Sequence, residues 1–300
     1  MRVANAPCSW GVLEFESTAL APGPAQVLDE IADTGYEGTE LGDWGFLGTE
    51  PSRLRLDLDR RRLALVGAFV AVALSDRSAH AAGEALALKT ARLIAGVTAT
   101  ANRPLIVLSD ATAVVRERTS RAGRITAADG LKAGEWAVVA AGAERLARAV
   151  LDVTGLSTVF HHHCASYVET PDEIEALMGR TSPDVLGLCL DTGHATYGGG
   201  DSVTLISRYG DRIRHVHVKD CSASIANRAR TEEWDYRTAI RHGLFCELGQ
   251  GQVDFRAALL RLRDIGYEGW IVVEQDVLPS MGTPAASAAR NRQFLRQLSV

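Results

Sequence analysis

Residues 185–194 read Val-Leu-Gly-Leu-Cys-Leu-Asp-Thr-Gly-His, an uncharged, mostly apolar run that ends abruptly in Asp191. Strands that are buried on both faces of a parallel sheet have continuous apolar runs of this kind. A carboxylate at the end of such a strand is costly to bury unless a cation or a hydrogen-bond donor pairs with it. The segment therefore predicts a buried parallel strand whose carboxyl end opens into a polar site.

The same strand-like pattern recurs along the chain and alternates with helix-like segments. Eight strands are predicted, at residues 3–9, 38–41, 63–70, 104–108, 157–163, 185–190, 213–219 and 270–274. Helices are predicted between them, at residues 24–34, 79–95, 130–153, 171–178, 203–209 and 254–265. This alternation is typical of βα units and of a parallel sheet.

A closed barrel and a doubly wound open sheet give the same local pattern. The count of eight, with polar residues after strand upon strand, favours the α/β fold of a single (β/α)8 TIM barrel, whose chemistry lies at the carboxyl ends of its strands. We expect one domain over residues 1–300, with a final helix at about 284–298 packed outside. Two long segments, 109–128 and 222–243, leave from the same end and are expected to be lids, or else solvated loops.

Composition narrows the function classes. The 300 residues are 46% hydrophobic and 23% charged, as in an ordinary globular protein. The net charge of −5 and the 6% aromatic content disfavour nucleic acid as a partner. We see neither a signal peptide nor an apolar run of about 18 residues, so we expect no membrane partner and a cytoplasmic location. The five scattered cysteines are expected to be reduced thiols rather than nucleophiles.

Histidines dominate two of the predicted strand ends. Residues 160–164 read Phe-His-His-His-Cys, and alternation along a strand sends His161 and His163 to one side and His162 to the other. Residues 214–220 read Arg-His-Val-His-Val-Lys-Asp. There alternation puts His215, His217 and Lys219 on one face of the strand. Of the three, His217 is best placed to be a metal ligand. Lys219 could polarise a substrate oxygen, move a proton or form a structural salt bridge.

Carboxylates occupy other strand ends. Glu274 follows three β-branched residues and is predicted to be a metal ligand or a general base. Glu40, at the end of the second strand, is expected to contact substrate rather than metal. His194 lies in the segment beyond Asp191, where it could face substrate or hold a ligand.

Imidazole and carboxylate ligands together suit manganese, cobalt, zinc, iron or nickel better than calcium, with magnesium less favoured. The sequence thus predicts a divalent metal ion as cofactor. It contains no dinucleotide-binding or phosphate-binding glycine motif, which argues against hydride transfer and nucleotide hydrolysis.

Several motifs together resemble one superfamily. They are Ser9-Trp10, Gly-Tyr-Glu-Gly-Thr-Glu-Leu-Gly at 35–42, the fifth-strand histidines, Leu-Asp-Thr-Gly-His at 190–194, His-Val-His-Val-Lys-Asp at 215–220, and Leu-Gly-Gln-Gly at 248–251 before Val-Asp-Phe at 253–255. Over nearly the whole chain, this set resembles the xylose isomerase-like, or AP-endonuclease-2-type, superfamily of sugar isomerases and epimerases. Its inosose dehydratase-like members are the most similar.

The resemblance implies a TIM barrel that binds one metal ion by four strand ends, commonly Glu, Asp, His or Gln, and Glu. Asp191, His217 and Glu274 match the last three positions. The first falls at His161, where many relatives carry glutamate, and His163 is the alternative ligand. Trp10 is expected, with Glu40, to contact the substrate.

The implied chemistry starts when the metal chelates a ketone oxygen and a neighbouring hydroxyl of a small polyhydroxylated substrate. Glu274 or a histidine removes the α-proton to give an enediolate. If His163, His194 or Lys219 then protonates the β-hydroxyl, the enzyme is a dehydratase; otherwise it is an isomerase or epimerase. Histidine in place of the fifth-strand glutamate favours the dehydratase. Cleavage of abasic DNA and a non-catalytic metal-binding subunit are the rivals, and a homo-oligomer is left open.

Overall fold

Eight parallel strands close into a barrel, as predicted. The computed structural model describes residues 1–12, 22–98, 103–111, 115–277 and 282–300. In chain order the barrel strands are Arg2–Asn5 (β1), Gly38–Glu40 (β2), Ala64–Val72 (β3), Leu105–Asp110 (β4), Thr158–His161 (β5), Leu186–Asp191 (β6), Ile213–Val218 (β7) and Trp270–Val273 (β8). Each strand pairs with its sequence neighbours in the barrel, and β1 pairs with β8 to complete it.

Helices surround the barrel and also fill the connections at its carboxyl end. They are Pro24–Asp33 (α1), Pro51–Asp59 (α2), His80–Val97 (α3), Arg116–Arg121 (α4), Ala133–Thr154 (α5), Pro171–Met178 (α6), Thr192–Tyr197 (α7), Ser202–Tyr209 (α8), Ala223–Thr231 (α9), Tyr236–Arg241 (α10), Phe255–Asp264 (α11) and Pro284–Gln297 (α12). Short 3-10 helices lie at Pro7–Trp10, Arg77–Ala79, Ala127–Asp129 and Gly210–Arg212.

The main core lies between the strands and the surrounding helices. Outward-facing strand residues such as Val70 and Val72 belong to one buried cluster with helix residues such as Ala87 and Ile94. The contact is close: a Cβ added at Gly83 would lie 2.5 Å from a methyl carbon of Val72, so glycine is needed there. Small groups of apolar residues from several strands fill the barrel itself.

Two strands, β1 and β5, are each three residues shorter than predicted, for local reasons. β1 ends at Asn5 rather than residue 9, because Pro7 opens a 3-10 helix that turns at Gly11, where φ is +81°. β5 ends at His161 rather than residue 163. The next residues turn away from the sheet, since the His163 backbone N–H donates to the carbonyl of Val168 at 3.0 Å.

The two long segments expected as lids or solvated loops contain helices. Residues 109–128 include α4, and residues 222–243 include α9 and α10. Arg124 Nη1 donates to the carbonyls of Ala229 and Trp234, at 3.1 and 2.9 Å, and so ties one segment to the other. An antiparallel pair of short strands, Asp220–Cys221 with Phe245–Cys246, anchors the second segment. The structure therefore contradicts the solvated-loop interpretation for Arg124.

The C-terminal helix α12 is tied to the segment that links α1 to β2. Tyr36 donates its hydroxyl to the carbonyl of Ala288 at 2.9 Å, and Arg292 Nε donates to the carbonyl of Gly35 at 3.0 Å. Over the described residues, every helix is too short or too polar to cross a lipid bilayer.

Candidate active site

Four consecutive strands bring an imidazole or a carboxylate to one point at the carboxyl end of the barrel. His161, Asp191, His217 and Glu274 come from the ends of β5, β6, β7 and β8, and each offers one atom within 4.8 Å of the others. His161 Nε2 lies 3.6 Å from Asp191 Oδ2, and His217 Nδ1 lies 3.3 Å from Glu274 Oε1. The first three side chains are buried, and Glu274 is partly exposed to the cavity.

Four polar atoms of this group lack a hydrogen-bond partner among the described residues. Both ring nitrogens of His161, Oδ2 of Asp191 and Nδ1 of His217 are buried without a hydrogen-bond partner among the described residues. Orphaned buried polar atoms are destabilising, so their convergence requires an explanation. Mixed imidazole and carboxylate donors fit a divalent transition metal. The residues present therefore fit the metal ion that the sequence predicted.

Glu40 forms a hydrogen bond with one of these side chains, His217. Its Oε1 accepts hydrogen bonds from Nε2 of His217 at 3.0 Å and Nε2 of His215 at 2.7 Å. Because Nε2 donates to Glu40, Nδ1 of His217 faces Asp191 and Glu274. Burial lowers the pKa of His217, but its neighbours Cys189, Glu274 and Glu40 raise it well above its ordinary value, so a metal ion at Nδ1 would replace a proton there. Burial raises the pKa of Glu40, but the two histidines outweigh it and lower that pKa overall. Glu40 thus remains an acceptor for both rings.

Lys219 lies at the centre of the acidic side of the site. Its Nζ is 3.0 Å from Glu274 Oε2, 3.1 Å from Asp276 Oδ1 and 3.8 Å from Asp191 Oδ2. Burial lowers the pKa of Lys219, but the three carboxylates together raise it well above its usual range. The side chain is therefore a buried cation that orients carboxylates. Asp276 is a residue that the sequence analysis did not select, although alternation places it on the same side as Glu274.

The three adjacent histidines have different surroundings and therefore different roles. His161 belongs to the four-residue group, whereas His162 turns away and its Nε2 accepts the Asp191 backbone N–H at 3.1 Å. His163 donates from Nδ1 to the Cys164 carbonyl at 2.6 Å, and this hydrogen bond assigns the free lone pair to Nε2. Burial, with the nearby charges of His161 and Lys219, lowers the pKa of His163 well below its ordinary value. His163 is thus a neutral imidazole beside the group formed by His161, Asp191, His217 and Glu274.

His194 and Trp10 lie behind the site, not in it. His194 was expected in a loop, but it lies in α7, fully buried, with Nε2 3.1 Å from Lys219 Nζ. Trp10 was expected to contact the substrate, but it packs in the main core and its indole N–H donates to Glu30 at 2.6 Å. The 3-10 helix that starts at Pro7 directs the Trp10 ring away from the barrel mouth, so Pro7 and Cys8 line the cavity instead.

These side chains surround a cavity of about 570 Å³. Its polar lining comes from Glu40, Asp43, His161, His163, Lys219, Glu274 and Asp276. The cavity thus brings together imidazole and carboxylate groups that fit a cation, the neutral imidazole of His163 and the buried ammonium group of Lys219.

Comparison with known proteins agrees with this architecture. The sequence model of the xylose isomerase-like TIM barrel family matches residues 28–298. The chain belongs to this family. It is 32% identical over 297 residues to an inosose dehydratase of Geobacillus kaustophilus (strain HTA426), covering 99% of this chain and 94% of that protein. It is 30% identical over 292 residues to an inosose dehydratase of Lacticaseibacillus casei, covering 97% and 94%.

Among solved structures, the chain is similar to a probable 3-DHS dehydratase, AsbF, from Bacillus anthracis. The TM-score is 0.70 at 14% identity, and the match covers 99% of each chain. At this identity the similarity establishes the fold alone. The family resemblance predicted from the motifs is therefore confirmed, and the barrel is that of its relatives.

Proposed function

We propose that this chain is a divalent-metal-dependent lyase of the inosose dehydratase type, which removes water from a small polyhydroxylated ketone. The observation that carries the proposal is the set of buried, unpartnered polar atoms on His161, Asp191 and His217. They lie at a cavity that His161, His163 and Glu274 line. The near full-length similarity to inosose dehydratases supports the same reaction class.

His161, Asp191, His217 and Glu274 would hold the ion; their donor set favours manganese, cobalt, zinc, iron or nickel over magnesium. When bound, a divalent ion would polarise the ketone oxygen and stabilise the negative charge that develops as an α-proton is removed. Glu40 fixes the His217 ring, and Lys219 fixes the second oxygen of Glu274 at 3.0 Å. The chain's own residues thus provide rigid, pre-oriented ligands.

His163 is the proton carrier in this mechanism. Its Nδ1 hydrogen is held by a backbone carbonyl, so Nε2 takes the proton from the carbon next to the ketone. The imidazolium then gives that proton to the hydroxyl on the following carbon. The carbon–oxygen bond breaks, a carbon–carbon double bond forms, and water leaves with the proton that the carbon lost. His194 and Asp276 hold Lys219 in place and are positioning residues.

The test is incubation with scyllo-inosose and several ketoses in deuterium oxide, with and without added manganese or cobalt. We expect the inosose to lose water only when the metal is present, and NMR measures this loss. Deuterium uptake without loss of water would instead support an isomerase or epimerase. Exchange in no substrate by the metal-loaded protein would overturn the proposal and favour a non-catalytic metal-binding subunit, while cleavage of abasic DNA would place the chain in another reaction class.

A further inference from the structure

Cys189 lies one level below Asp191 on β6, inside the barrel. The two residues are two positions apart, so their side chains point to the same face of the strand. Cys189 is fully buried in a small apolar group with Val107 and Val159, and in the strand register it is level with His161 on β5. The four-residue group at the mouth of the barrel therefore has a thiol beneath it.

The thiol completes a second set of possible metal ligands. Cys189, His161 and His217 each offer one atom within 4.8 Å of the others. We call these three residues the thiol set. It shares both histidines with the four-residue group but contains neither of that group's carboxylates. An ion in one set would use the imidazoles that the other set needs, so the two sets cannot be filled at once.

His161 gives an independent indication that a ligand binds here. Its side chain is 2% exposed, and both ring nitrogens lack a hydrogen-bond partner among the described residues. A neutral imidazole has one nitrogen that donates and one that accepts, and buried polar atoms of this kind are rarely left unsatisfied. The ring is therefore available to an ion at either level, with Asp191 and Glu274 above or with Cys189 below.

The two sets differ in the ions that they suit. Carboxylate oxygen is a hard donor, whereas thiolate sulfur is soft and selects copper(I) or zinc. The thiol set has three donors and lies among apolar side chains, which suits copper(I) better than zinc, because zinc sites are almost always four-coordinate. Charge favours the same ion. Exchange of the thiol proton for copper(I) leaves the charge of the buried space unchanged, whereas a divalent ion would add a positive charge there.

We propose that the thiol set is a copper(I) site, with Cys189 as the thiolate ligand and His161 and His217 as the imidazole ligands. The thiol proton leaves to the solvent as the ion binds. Because the site takes two of the four ligands of the divalent ion, bound copper(I) excludes that ion. The inference goes beyond the proposed function, since it concerns metal selection and not the reaction. Only the exclusion rests on the proposed divalent-metal site.

Anaerobic titration of the metal-free protein with copper(I), in competition with a coloured copper(I) chelator, measures the site. We expect one tightly bound ion per chain, with one sulfur and two nitrogen neighbours in the X-ray absorption spectrum at the copper edge. Cys189→Ala and Cys189→Ser should each weaken copper(I) binding about 100-fold or more, since loss of even a supporting residue costs about 10–100-fold. The manganese affinity of both variants should be that of the unaltered protein.

Two other cysteines provide matched controls. Cys221→Ala removes another fully buried thiol, and Cys8→Ala removes the thiol that lines the cavity near Glu274 and Asp276. Both variants should bind copper(I) like the unaltered protein. Thermal melting of each variant establishes that it is folded.

Several results would overturn the copper(I) site. They are the absence of tight copper(I) binding, undiminished binding in the Cys189 variants, loss of binding in Cys8→Ala, and a copper spectrum without a sulfur neighbour. Binding of one manganese ion and one copper(I) ion together would contradict the shared histidines. The copper(I) titration needs neither substrate nor manganese. Failure of turnover or of manganese uptake would therefore count against the proposed function alone and leave the copper(I) result in place.

Discussion

Glu40 Oε1 lies 3.0 Å from Nε2 of His217, and Nδ1 of that ring lies 3.3 Å from Oε1 of Glu274. One carboxylate therefore determines which nitrogen of His217 faces the cavity. Outer carboxylates that hold a ligating histidine in this way also increase its basicity. Glu40 is therefore a support for the proposed metal site rather than one of its proposed ligands.

The first prediction concerns this support. Glu40→Gln removes the negative charge that holds His217 and His215, so metal affinity should fall about 10–100-fold. Metal titration followed by calorimetry measures the change. Glu37→Gln, an exposed carboxylate near Arg2, is the matched control and should bind metal like the unaltered protein. Unchanged affinity in a folded Glu40→Gln protein would show that Glu40 does not support the site.

The adjacent histidines should separate metal binding from proton transfer. His161→Ala should lose bound metal, because it removes one of four converging donors. His163→Ala should keep the metal and lose about 10²–10⁴-fold in kcat, the usual contribution of a general acid–base group. Metal analysis and turnover of the two proteins provide the comparison. The reverse pattern would assign the fifth-strand ligand to His163.

A buried ion pair should control the stability of the segment that carries His163. Arg118 donates from Nη1 and Nη2 to the two oxygens of Glu173, each at 2.8 Å, and from Nε to the carbonyl of Ser166 at 2.7 Å. Arg118→Ala leaves Glu173 buried and unpaired, so the free energy of unfolding should fall by about 3–5 kcal/mol.

The matched control for Arg118 is Arg121, on the same helix. Arg121 is half-exposed and pairs with Asp129 at 2.9 Å. Arg121→Ala should lower the free energy of unfolding by about 1 kcal/mol or less, because exposed ion pairs contribute little to stability. Urea unfolding measures both variants. Equal losses would show that burial of the Arg118 pair has no energetic consequence.

Stability should also depend on pH through Glu169. Burial raises the pKa of Glu169 to about 7, although the backbone N–H groups of Gly123 and Ala165 donate to it. Between its ordinary pKa and about 7, the folded protein keeps a proton that the unfolded chain has lost. The free energy of unfolding should therefore fall as pH rises through this window, by at most about 1.4 kcal/mol per pH unit.

Glu169→Gln should remove this contribution to the slope, as measured by urea unfolding from pH 5 to 8. Asp110, whose pKa burial raises to about 6, adds a slope of the same sign at lower pH and remains in the variant. Glu175→Gln, at an exposed position on α6, is the control. A slope that is identical in Glu169→Gln and in the unaltered protein would contradict the assignment.

Strand ends were the most predictable part of this molecule. Asp191, His217 and Glu274 each occupy or directly follow the end of an apolar run, and the carboxyl ends of parallel strands meet at one face of a barrel. Their convergence could therefore be expected from sequence alone. The alternation that separates His161 and His163 from His162 also gave the correct sides.

The less predictable features depend on turns and on contacts between distant segments. β5 stops at His161 because His163 bonds to Val168, and no alternation rule contains that turn. Trp10 was expected to contact the substrate, but a proline-initiated turn places it in the core. Asp43 lies three residues beyond β2, and its place in the cavity lining depends on the left-handed conformation of Gly42. Periodic sequence patterns predict strands and helices. They do not predict these turns, because each turn depends on one or two individual residues.

We propose that His161, Asp191, His217 and Glu274 together bind one divalent ion. A crystal structure of the manganese-loaded protein, with anomalous differences collected at the manganese edge, tests it most directly. We predict a single strong peak between His161, Asp191 Oδ2, His217 Nδ1 and Glu274. A peak at Glu40 and His215, a peak beside Cys8 and Asp276, or no peak at full manganese saturation would contradict the claim.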